Sequence, residues 1–139
     1  MSIRPAGRRD AGQDAVVMDS FAWIEYFSGS SSGESVKTFL ERRICLTPTI
    51  VVAELSEKYK RAGESRGHRF DFIRGRSRVV LLHDQLDQTA GEISFERRKK
   101  VDGWGMADSI VLATGRRSKA RVVTGDPHFR DLTNETITI

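Results

Sequence analysis

Five short apolar runs punctuate this chain: AVVM (15–18), ICL (44–46), VVLL (79–82), RVVT (121–124) and TITI (136–139). Each is too short for a helix, and the first is β-branched, so they read as strands, with TITI at an edge. Longer segments of helical character separate them. Ser20 is placed to cap a helix beginning FAWIEYF, and a second helix is expected over 34–43, after the connector SGSSSG at 28–33. Pro48 is expected to open a helix through TIVVAELSEKYKRAG at the tolerated first turn. Further helices are predicted over the basic segment 66–76, over 84–100 and over GMADSIVLATGRRSK. Strands alternating with helices make an α/β fold: a single domain with a central parallel sheet of four to five strands and helices on both faces. In such sheets the working residues lie at the carboxyl ends of the strands.

The 139 residues suit one domain, 16–139, preceded by a basic tail, 1–15, read as disordered because it is polar, Arg-rich and lacks helical periodicity. A chain near this length buries roughly 68–70% of its unfolded surface, so no metal or disulfide is needed to hold it. The single cysteine, Cys45, lies in an apolar run and reads as a small buried hydrophobe. One cysteine excludes an intrachain disulfide and suits a reducing cytoplasm. No stretch approaches the roughly 20 apolar residues of a membrane span. The net charge is +4, and cations cluster at Arg42–Arg43, Lys58–Arg61, Arg66–Arg78, Arg97–Lys100 and Arg116–Arg121. A basic surface concentrates polyanions, which makes nucleic acid a candidate partner without deciding function.

Of nineteen acids, four stand out. Asp19 ends the first strand, and Asp126 follows the strand RVVTG. Glu54 is enclosed by Ile50, Val51, Val52, Ala53 and Leu55, and Asp108 by Met106, Ala107, Ile110, Val111 and Leu112. A carboxylate in apolar surroundings is neutral, paired with a cation, or bound to metal. Structural alternatives stand beside this: Lys58, one turn on, is placed to pair with Glu54, and Asp126 before Pro127 is a good cap. Glu25 and Asp71 read as outward-facing acids on amphipathic helices, and Asp131 as a surface acid. His68, His83 and His128 show no ligand spacing. Carboxylates without His or Cys form a hard oxygen site, which selects Mg²⁺ or Mn²⁺ and supports phosphodiester hydrolysis.

VVMDSFAWIEYF resembles the opening strand and helix of PIN domains, and TIVVAELSEKYKR their second acidic motif. GMADSIVLATGRRSKARVVTGDPHF is similar to the third and fourth together. The likeness covers roughly 15–139 and is nearest to VapC-type toxins of type II toxin–antitoxin systems. It implies a PIN-like domain in which Asp19, Glu54, Asp108 and Asp126 form a metal-binding cluster for Mg²⁺ or Mn²⁺. Thr124 would support Asp126 or the attacking water, and Ser20 would bond at the site's edge. The resemblance further implies an endoribonuclease acting on tRNA or rRNA loops, a homodimer, and inhibition by a cognate VapB-type antitoxin. Alternatives are a PIN nuclease of RNA maturation and a non-catalytic PIN-like RNA-binding module.

Other phosphate chemistries fit poorly. A haloacid-dehalogenase-type phosphotransferase needs a second Asp where Phe21 stands. A receiver domain needs paired acids and a late Lys. The dinucleotide-binding and P-loop glycine patterns are absent.

Overall fold

The computed structural model describes residues 14–139. In chain order these form β1 (Ala15–Met18), α1 (Ser20–Ser28), α2 (Ser31–Arg42), β2 (Ile44–Pro48), α3 (Thr49–Arg61) and α4 (Gly67–Arg76). There follow β3 (Arg78–Val80), α5 (Asp84–Arg98), α6 (Met106–Ser118), β4 (Arg121–Thr124), a 3₁₀ turn (Pro127–Phe129) and β5 (Thr136–Thr138).

The five strands form one parallel sheet in the order β3-β2-β1-β4-β5. Val17 faces Leu46 on one side and Val122 on the other, so β1 is the central strand. All four β1 residues are buried, with no alternation, which requires cover on both faces of the sheet. α6 packs against β1, β2 and β4, and presents Ser109–Gly115 as a continuous buried stretch. Trp23, Leu55, Ile73, Leu112 and Phe129 fill the core. Trp23 also donates Nε1 to Thr47 Oγ1 at 3.1 Å, and Thr47 and Ser77 hydroxyls meet at 2.8 Å. This chain of polar contacts ties α1 through β2 to the end of α4, with its buried groups satisfied.

The chain moves outward from β1 to β2 and β3 on one side, and later to β4 and β5 on the other. The direction of winding therefore reverses beside β1. A crevice outside the carboxyl ends of the strands is the consequence of such a reversal.

Several boundaries differ from expectation. α2 begins at Ser31, not 34, because Ser30 caps it by accepting from Gly33 N at 3.0 Å. The connector shrinks to Gly29 and Ser30. Pro48 does not open α3; pairing with Val80 keeps it in β2, and the helix starts at Thr49. The third strand stops at Val80, since β2 ends opposite it, leaving Leu81 and Leu82 exposed. β5 pairs with β4 at the sheet edge, as TITI predicts, over three of its four residues. Of the basic tail, residues 1–13 lie outside the described residues, and Ala15 already belongs to β1. Cys45 is buried, as its apolar run predicts.

Candidate active site

Asp19 directly follows the central strand and caps α1. Its Oδ1 accepts from Phe21 N at 2.6 Å and from Ser20 Oγ at 3.2 Å, and its Oδ2 accepts from Thr124 Oγ1 at 2.5 Å. The residue is only 6% exposed. Burial pushes its carboxyl up to about 6, against the lowering effect of the hydrogen bonds from Thr124, Phe21 N and Ser20; the nearby charge of Asp126 adds to the rise.

Glu54 projects from the second turn of α3 and is half-buried. Its carboxyl is pushed up to about 7, first by burial and then by the charges of Asp19 and Asp108, with Asp126 contributing. The Ser20 hydroxyl also lies within hydrogen-bonding reach of this carboxyl. The alternative pairing with Lys58 does not form: among the described residues Lys58 has no ion-pair partner.

Asp108 lies in the first turn of α6, where the helix predicted over GMADSIVLATGRRSK puts it, and is half-buried. Its Oδ2 accepts from Gly105 N at 2.9 Å, so the carboxylate also serves the helix terminus. Burial raises its pKa first, and the charge of Asp126 adds to the rise. Asp126 caps the 3₁₀ turn by accepting from His128 N at 2.9 Å, while its own N–H donates to Thr124 Oγ1 at 3.0 Å. Its capping role and its place in the cluster coexist.

The four acids thus come from β1, α3, α6 and the end of β4, and each of Asp19, Glu54 and Asp108 feels another's charge. Thr124 joins two of them through one hydroxyl. A fifth member is His128, to which the sequence pattern assigned no role. Ligating atoms of Asp108, Asp126 and His128 all lie within 4.8 Å of one another. His128 Nδ1 sits 2.7 Å from Asp126 Oδ1, but is not aligned as a hydrogen bond and has no other partner. The site is therefore not carboxylate-only. The signal available was the Asp-Pro-His spacing, since a turn at Pro127 brings residues two apart together.

Gly103 makes room for that imidazole. A Cβ there would stand 2.8 Å from His128 Nε2, and the residue's φ of +80° favours glycine. Gly125 is equally constrained, since a Cβ would meet the Phe21 ring at 2.3 Å.

The PIN domain family model matches residues 16–135. The chain belongs to the PIN-domain family. Solved structures similar to this PIN domain include a toxin–antitoxin complex from Klebsiella pneumoniae, with a TM-score of 0.70 at 17% identity, covering 88% of this chain and 96% of that one. A VapBC complex from Rickettsia felis, bound to a promoter DNA fragment, gives a TM-score of 0.68 at 16% identity over 88% and 96%. A VapC toxin from Mycobacterium tuberculosis that cleaves the sarcin–ricin loop gives 0.69 at 14% identity over 89% and 98%. At such identities the likeness is one of fold. No curated protein matches the chain.

In this PIN domain the turn carrying Asp126 and His128 is clamped from behind. Arg97, 6% exposed, donates to Asp131 at 2.7 and 2.8 Å and to the His128 carbonyl at 2.9 Å. Its guanidinium lies 4.5 Å from the Trp104 ring, and Trp104 packs on Phe129 at 4.9 Å while donating to Ser109 Oγ at 2.7 Å. Asp131 is thus a surface acid, as expected, and also half of a clamp. Asp71 is exposed beside Arg74, as expected, whereas Glu25 is half-buried and accepts from Ser30. His83 caps α5 through Nδ1, which accepts from Leu86 N at 3.3 Å, and His68 is exposed away from these contacts.

Proposed function

We propose that this PIN domain is a divalent-metal-dependent endoribonuclease of the VapC toxin type, with RNA loops as substrate. The observation that carries the reading is the convergence of Asp19, Glu54, Asp108 and Asp126 at the carboxyl edge of the sheet, where burial and neighbouring carboxylates raise Asp19, Glu54 and Asp108 and no Lys or Arg among the described residues pairs with any of the four. Acids held so close are relieved by a metal ion.

The donor set fits such an ion. Oxygens of Asp108 and Asp126 and a nitrogen of His128 lie within 4.8 Å of one another, and His128 Nδ1 makes no aligned hydrogen bond among the described residues. Oxygen donors suit Mg²⁺ and Mn²⁺, and an imidazole tilts the preference towards Mn²⁺. When bound, the cation polarises the phosphate and makes a hydroxide available near neutral pH.

The chain's own residues do the rest. Thr124 and Ser20 fix both oxygens of Asp19, so the central carboxylate enters the reaction already oriented. Glu54, raised to about 7, is suited to hold or release a proton at its carboxyl as the phosphodiester is cut. The Arg97 clamp keeps Asp126 and His128 against α6.

The fold shared with toxin–antitoxin complexes supports a cognate VapB-type antitoxin; a homodimer and a cytoplasmic setting belong to the same proposal on the strength of the sequence resemblance alone. Among the described residues no helix is long and apolar enough to cross a membrane. Purified protein is expected to cut loop-containing RNA with Mg²⁺ or Mn²⁺ and to stop in EDTA. Asp19→Asn is expected to be inactive. Cleavage that continues unchanged in excess EDTA overturns the metal reading.

A further inference from the structure

A second feature lies along the same pair of helices that frames the acids. A cleft of about 460 Å³ opens between the far ends of α1 and α3 and the start of α4, lined by Ile24, Tyr59, Lys58, Arg61, Arg66 and Arg69 among others. Glu64 is the one acid on its wall, so the lining carries four cations against one anion. Arg61 and Arg66 are held by Glu57 and Glu64 at 2.7 and 2.8 Å, and Arg69 lies over the rings of Phe27 and Tyr59 at 5.1 and 5.3 Å. Lys58 has no such restraint. Tyr59 supplies an independent observation: it is only 5% exposed, yet its buried hydroxyl has no hydrogen-bond partner. A buried hydroxyl without a partner is costly, and a bound ligand group would relieve it.

We infer that this cleft binds a backbone phosphate of the RNA, a few nucleotides from the bond that is cut. The inference rests on the nuclease reading above and adds where the substrate lies. Lys58 follows Glu54 by one helical turn and Arg61 by about two, which places the cleft about 6–10 Å along α3 from the acidic site. Stacked nucleotides advance about 3.4 Å each, so the strand covers that distance in two to three residues. The cations attract the phosphate, Tyr59 Oη donates to it, and the paired arginines are already oriented for it. The acids at one end and the cations at the other set the strand's path across the α1–α3 face.

The test is anisotropy of a short fluorescent single-stranded RNA with the full chain in EDTA, over a series of salt concentrations. Lys58→Ala is expected to weaken binding several-fold and to lower the salt slope by about 0.7, one phosphate contact to a single strand. Lys37→Ala, on the exposed side of α2, removes the same charge elsewhere and is expected to leave the slope unchanged. Tyr59→Phe is expected to weaken RNA binding with no loss of thermal stability, because it deletes an unpartnered donor. Equal slopes for Lys58→Ala and Lys37→Ala, or unchanged affinity in Tyr59→Phe, overturn the inference. So does loss of binding to polyglutamate but not to RNA in Lys58→Ala, which assigns the cleft to an acidic polypeptide. Wild-type protein that cuts RNA while its variants bind normally leaves the nuclease reading standing and removes this subsite alone. Wild-type protein that neither binds nor cuts RNA removes both.

Discussion

Thr124 Oγ1 donates to Asp19 Oδ2 at 2.5 Å, across 105 residues of sequence, and accepts from Asp126 N at 3.0 Å. One hydroxyl thus locks the ends of two adjacent parallel strands and two of the clustered acids. Thr124→Val keeps the shape and leaves a buried carboxylate oxygen and an N–H unpaired, at a cost of about 1–3 kcal/mol. Thr124→Ser keeps the bridge and is expected to lose less than half as much. Urea unfolding of the two variants checks this, and equal losses count against the bridge.

Metal-free stability is expected to fall as pH rises. Burial and mutual repulsion raise the folded-state pKa of Asp19 to about 6 and of Glu54 to about 7, above their ordinary values. The folded protein then binds these protons more tightly than the unfolded chain, so the stabilisation is full below about pH 4 and is lost as pH rises through 6 and 7. Unfolding in EDTA at pH 5 and pH 8 measures the loss. Mn²⁺ is expected to reverse it at the higher pH, because the ligands bind deprotonated.

Asp108→Asn separates a functional carboxylate from a structural one. An amide oxygen still accepts from Gly105 N, so the cap survives, while one charge leaves a crowded pocket. The metal-free variant is expected to be as stable as the wild type or up to about 2 kcal/mol more so, and inactive. Thermal melts with and without Mn²⁺ read both quantities. A loss of about 3–5 kcal/mol in EDTA, the signature of a broken buried pair, would falsify the assignment.

Gly103→Ala tests the imidazole. The new Cβ meets His128 Nε2 at 2.8 Å on a backbone of φ +80°, so the variant is expected to lose about 1–2 kcal/mol and to bind Mn²⁺ less tightly. Gly91→Ala, on an open face of α5, is expected to gain about 0.5–1 kcal/mol with Mn²⁺ binding intact. Calorimetric titration with Mn²⁺ compares them. His128→Ala is expected to match Gly103→Ala in metal affinity, and unaltered affinity in both takes His128 out of the site.

Much of this was written locally. Asp19 and Asp126 were legible because each follows a short apolar strand, and a strand end in a parallel sheet has one address, the carboxyl edge. Glu54 and Asp108 were legible because a charge among apolar neighbours needs a reason. The alternation of runs such as AVVM and RVVT with helical segments settled the fold class for the same local cause, the period of side-chain burial. Strand pairing, by contrast, kept Pro48 in β2 and released Leu81 and Leu82, since a strand extends only as far as its neighbour. Lys58 could have paired with Glu54 by spacing; it lines the basic cleft instead. Asp108 and His128 are twenty residues apart and meet through the packing of Trp104 on Phe129 and the reach of Arg97. Sequence fixes which groups are costly to bury, because that depends on each residue and its neighbours along the chain. Which of them share one pocket depends on distances through space, and only the folded chain sets those.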